Sequence, residues 1–189
     1  MHIVLSVLVL FLTPVLFGIT DLDRLSSAVS LERFVALLGV ILLTPIFAPE
    51  QSTEIDDVVS AKYTGSSTVY VIRTLCLTGI MSVLILVFGI YMRESGCDIS
   101  PKLITGTIAD AVFLGSLGML AASITENAAV AYMLPMMYYT LCIGAGRKLG
   151  SFYLFAMETG NYAGKPRMLL IGILLAAGAI WIRQMKRRV

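Results

Sequence analysis

The sequence predicts an all-α integral membrane protein, and three observations carry that prediction. Of 189 residues, 58% are hydrophobic and only 14% charged, with a mean hydropathy of +0.89; an ordinary soluble domain is about half apolar and a quarter charged. The apolar residues are gathered into runs long enough to cross a hydrocarbon core of about 30 Å, which takes roughly 17–25 helical residues. The remaining charges lie between those runs. Six spans are expected, at 2–19, 31–48, 69–92, 103–124, 128–145 and 168–184. They form a single transmembrane domain over residues 1–189, because no polar segment is long enough to bury a core of its own.

Composition also narrows the chemistry. The formal net charge of +2 is small and says little about partners; no nucleic-acid partner is expected. Cys76 and Cys142 lie inside apolar runs and Cys97 in a polar loop, so no CxxC or Cys/His metal spacing exists. The single histidine, His2, excludes a His-based metal centre or catalytic triad. There is no P-loop, HExxH or GxSxG, and no paired acids in the spacing of head-group transferases. No catalytic residue, metal or cofactor is expected, and the chain is not read as an enzyme.

Residues 1–19 are apolar, with Pro14 inside. They lack the charged n-region and small-residue cleavage site of a signal peptide, so they read as a first membrane helix. A polar loop is expected at 20–30. The second span carries Glu32 and Arg33 at its mouth and Pro45 near its exit. Arg73 opens the third span, where its head is expected in water at the interface. After the loop RESGCDISPK comes a fourth span rich in Gly and Ala and carrying Asp110; a tight turn, 125–127, leads to a fifth broken by Pro135. The last span is the shortest, and its closing Arg183 is expected to snorkel. Six spans put both termini on one side of the cell membrane. The cluster Arg183, Lys186, Arg187 and Arg188 assigns that side to the cytoplasm.

The polar stretch EQSTEIDDVVSAKYTGSST, residues 50–68, separates spans two and three. A short amphipathic helix is expected at about 52–64. Ser52 or Thr53 suits its N-cap, and Glu54, Asp56 and Asp57 favour the positive end of its dipole. Ile55, Val58 and Val59 share one face, and Gly65 is a natural stop. Such a helix suits docking; the plainer alternative is a solvated linker. Between spans five and six, 146–167 is too interrupted to cross. Phe152, Tyr153, Phe155, Met157 and Tyr162 suit the interface. The segment reads either as a re-entrant hairpin packed on protein or as an external loop on the headgroups.

Asp110 is the carboxylate deepest in an apolar run, a position that defaults to a functional hypothesis. It is expected either to handle substrate or protons, or to lie near the interface and pair with Lys102 or Thr107. Tyr138 and Tyr139 either line a central cavity or pack with satisfied hydroxyls. Gly115 and Gly118 form a smooth face for close helix contact, inside the subunit or against a second one.

This layout resembles the membrane subunits of type-2 ATP-binding-cassette (ABC) exporters. The resemblance is carried by PEQSTEIDDVVSAKYTGSSTVYVIR at the family's coupling-helix position and by GSFYLFAMETGNYAGKPR at its re-entrant position. FLGSLGMLAASITENAAVAYMLPMMYY likewise resembles the family's junction of spans four and five. It implies a permease subunit that forms a translocation path with a second permease chain, driven by a separate ATPase. Glu54, Ile55, Asp56, Asp57, Val58, Val59 and Lys62 would dock on that ATPase from a cytoplasmic coupling helix. Asp110, Tyr138 and Tyr139 would be candidates for the path. The family's elbow helix has no match here, which leaves both homo- and heterodimer open.

Two other classes compete. A secondary transporter or channel would use Asp110, but no internal repeat and no second buried charge to pair with it are expected. A non-transporting membrane interaction or immunity protein would make the acidic helix dispensable.

Overall fold

A computed structural model describes residues 2–50 and 66–186, and every element within them is helical. In chain order these are α1 (His2–Phe17), α2 (Arg24–Arg33), α3 (Leu38–Leu43), α4 (Ser66–Glu94), α5 (Pro101–Thr125), α6 (Ala128–Ala145) and α7 (Lys165–Lys186). Short 3-10 turns join α2 to α3 (Val35–Leu37), follow α3 (Thr44–Glu50), and occupy Gly146–Phe152 and Met157–Thr159. Five helical stretches are long and apolar enough to cross a membrane: Arg24–Phe47, Thr68–Glu94, Pro101–Thr125, Ala128–Ala145 and Lys165–Lys186. The first expected span is shorter than predicted. Its helix has 16 residues and ends at Phe17, before Gly18 at φ 59°; that is about 24 Å of helix against a core of about 30 Å.

The largest departure from the expected layout is at 20–30. Here the polar residues build a helix rather than a loop. Asp23 caps it, its carboxylate accepting from the Ser26 N–H at 3.3 Å. Ser26's hydrogen bonds, from its side chain first and its backbone second, hold the Asp23 carboxyl below its ordinary value. The helix therefore begins at Arg24, and Glu32 falls in its third turn rather than at its mouth. At Phe34 the ladder breaks: the Leu37 N–H bonds the Phe34 carbonyl, one residue short of the α-helical partner. Arg33's freed carbonyl accepts instead from the Tyr139 hydroxyl at 2.7 Å.

α5 is the central helix. In its apolar stretch 78% of the residues are buried within the protein, against 17–28% for the stretches in α4, α6 and α7. Glycines permit the approach. A Cβ on Gly39 would meet the Ala111 backbone, one on Gly115 the Gly39 carbonyl and Leu43, one on Gly118 the Thr44 side chain, and one on Gly172 the Phe113 backbone. The Gly115–Gly118 face thus packs inside the chain, against α3 and the turn after it. Apolar side chains remain exposed on the periphery: Phe11 and Val15 on α1, Leu75 and Ile90 on α4, Met137 and Ile143 on α6, Leu174 and Trp181 on α7. A lipid surround suits such faces, as it would not suit a soluble monomer.

Helix ends are satisfied by long-range cations. Lys186 donates to the Ile124 carbonyl at the end of α5 (2.6 Å), where the dipole favours positive charge. Arg183 pairs with Glu126 at 2.8 Å and is nearly buried. Arg73 turns its guanidinium onto the Ile46 carbonyl (2.9 Å), so its head is engaged by protein rather than by water alone.

Candidate functional site

At one end of the bundle α2, α5 and α7 bring together three charged side chains far apart in sequence. Asp110 lies nine residues beyond Pro101, about 14 Å along α5, and is completely buried. Glu32 is also completely buried, and Lys165 is 4% exposed. The Lys165 ammonium donates to Glu32 Oε1 at 2.5 Å, to Asp110 Oδ2 at 2.6 Å and to the Leu154 carbonyl at 2.6 Å. All three of its donors are used.

Glu32 has further partners. Its Oε1 accepts from the Met157 N–H (2.9 Å) and its Oε2 from the Glu158 N–H (3.0 Å), at the start of the 3-10 turn Met157–Thr159. The carboxylate therefore caps that turn from another element. The next residue, Arg33, grips the same place from outside, in a two-bond fork to Glu158 at 2.7 and 2.9 Å. Asp110 Oδ1 has no hydrogen-bond partner among the described residues. Two carboxylates share one ammonium and all three groups are buried, so each pairing distance matters far more than it would at a surface.

The expected partners of Asp110 are corrected here. Lys102 is exposed, and the Thr107 hydroxyl donates to the Leu103 carbonyl of its own helix at 2.9 Å. Asp110 meets Lys165 instead. The expectation that no second buried charge would pair with it is overturned: buried Lys165 pairs with it and with the equally buried Glu32.

Tyr138 and Tyr139 are half-buried on α6 and fasten the segment between α6 and α7. Tyr138 donates to the Phe152 carbonyl and packs edge-on to Phe113, with ring centroids 5.2 Å apart. Tyr139 packs edge-on to Phe155 at 5.3 Å while its hydroxyl holds Arg33. Phe155 is edge-on to Tyr153 as well, and the Arg33 guanidinium lies over its face at 5.7 Å. Leu154, Phe155 and Met157 are buried. The segment thus packs into the protein along its middle rather than lying loosely over it. Burial raises the Tyr153 phenol above its ordinary value.

Glu54, Ile55, Asp56, Asp57, Val58, Val59 and Lys62 lie outside the described residues. Sequence reasoning noticed Glu32 and Arg33 only as mouth residues, and missed Lys165 and Glu158. Compared with known protein families, curated proteins and solved structures, the chain finds no match.

Proposed function

We propose that the chain is the membrane-spanning permease subunit of an ABC exporter, with both termini cytoplasmic, working beside a second permease chain and a separate ATPase. The observation that supports this most is the folded segment between α6 and α7, anchored to α2 and α7 by Glu32, Arg33 and Lys165. A re-entrant element needs protein partners for its backbone, and here Tyr138, Glu32 and Lys165 take up the Phe152 carbonyl, the Met157 and Glu158 N–H groups and the Leu154 carbonyl. It stands where the resemblance expects a re-entrant element. The acidic segment around Glu54–Val59 stands where the resemblance expects the ATPase to dock.

Purification of the tagged chain in mild detergent tests the reading. We expect a stoichiometric ATPase to copurify, and Glu54→Ala, Asp56→Ala and Asp57→Ala together to abolish that association. Recovery of no ATPase would remove the exporter reading; an ATPase retained by the triple variant would move the docking site elsewhere.

A second reading rests on a separate observation, the buried Glu32–Asp110–Lys165 cluster, whose Asp110 Oδ1 has no partner among the described residues. Buried ionisable groups in apolar helices mark ion and proton paths. Here, though, every Lys165 donor is spent inside the chain, as are the Glu32 bonds from Met157, Glu158 and Lys165, which favours a fixed ion cluster. Proteoliposomes holding a pH-sensitive dye distinguish the two. We expect wild-type protein to pass no more protons than empty liposomes; a flux abolished by Asp110→Asn would establish the proton path.

A further inference from the structure

We infer that residues 151–159 form a strap, latched from outside by Arg33 and Glu158, whose opening admits water to the Glu32–Asp110–Lys165 cluster. The ends of this stretch are built to turn. Gly150 has φ 56° and Gly160 φ 75°, backbone conformations that side-chain-bearing residues rarely adopt. Between them Leu154, Phe155 and Met157 point into the protein and are buried. Beneath the strap lie the three charges and Cys142, which is completely buried and packs with Leu154 and Phe155 in one apolar cluster.

The fastenings are graded by depth. Lys165 to the Leu154 carbonyl and Glu32 to the Met157 N–H are buried bonds. The Arg33–Glu158 pair is an outer one, with the arginine side chain 49% exposed and the glutamate 12%, and Arg167 makes a second exposed fastening to the Ser151 hydroxyl at 3.1 Å. Water reaches these outer fastenings first. Once the ion pair parts, Glu158 no longer holds the 3-10 turn against α2 from outside, and the remaining bonds open with the strap as one local unit. Glycine pivots at both ends let this happen without moving α6 or α7. The inference is independent of whether an ATPase drives the protein.

Cys142 is a built-in reporter. With Cys76→Ser and Cys97→Ser it becomes the sole thiol, and its reaction with a charged maleimide in detergent measures opening. In that background labelling is expected to be slow. Arg33→Ala should speed it about tenfold, equivalent to ~1.4 kcal/mol off the opening free energy. The charge-swapped pair Arg33→Glu with Glu158→Arg should return it toward the slow rate. A companion protein keeping only Cys97, which is buried in the turn after α4, should label no faster with Arg33→Ala. An unchanged Cys142 rate in Arg33→Ala would overturn the latch. So would a swapped pair as fast as the alanine variant, or equal acceleration at both thiols, which would mean that the whole bundle had loosened.

Discussion

Lys165→Met is expected to destabilise the protein by about 3–5 kcal/mol, the range for breaking a buried ion pair by removing one partner. The substitution keeps the length of the side chain and removes the only cation bonded to Glu32 and Asp110 among the described residues. Both carboxylates would then remain buried, and the Leu154 carbonyl would lose its donor as well. Thermal denaturation in detergent, followed by the loss of monodisperse protein, measures the effect. Adding Glu32→Gln and Asp110→Asn should recover part of the loss, because the uncompensated charges disappear even though the capping of Met157 and Glu158 is weakened. Wild-type stability in Lys165→Met would mean that the cluster is not what holds α7 to α2.

The same cluster shows what was legible in the sequence. Asp110 stood out because a carboxylate inside an apolar run has few cheap explanations. Glu32 did not, because Asp21, Asp23 and Arg24 made 20–30 look like a loop and moved the start of the span to residue 31. An N-cap aspartate opening a helix was the signal that could have placed Glu32 inside. Lys165 was hidden by its neighbours: beside Gly164 and Pro166 it read as the end of a loop. Its partners are 133 and 55 residues away, and local periodicity carries no information about contacts at that separation.

The helical, apolar character of the chain was legible because runs of apolar residues report burial from water directly. Which face of a helix meets protein and which meets lipid was not, since both surroundings are apolar and no amphipathic stripe separates them. For this reason the small-residue face at Gly115–Gly118 was readable as a contact surface while its partner was not. The structure supplies that partner in Gly39, Leu43 and Thr44.

Gly115→Val is accordingly expected to cost more than about 3 kcal/mol, above the usual range for overpacking. The added Cβ would fall on the Gly39 carbonyl and on the base of the Leu43 side chain. A backbone carbonyl cannot swing away as the tip of a flexible side chain can, so α3 and α5 would have to separate. Separation would also unseat Gly118 from Thr44 and Gly39 from the Ala111 backbone, so one substitution loosens the whole contact line. Gly178→Val is the control. Gly178 lies in α7 with nothing within 4 Å of an added Cβ, and in a helix valine is, if anything, a few tenths of a kcal/mol better than glycine. Melting temperatures of the two variants should therefore diverge sharply, with Gly178→Val near wild type and Gly115→Val far below it. Equal melting temperatures would show that α5 does not lie as close to α3 as the Gly115 and Gly39 backbones require.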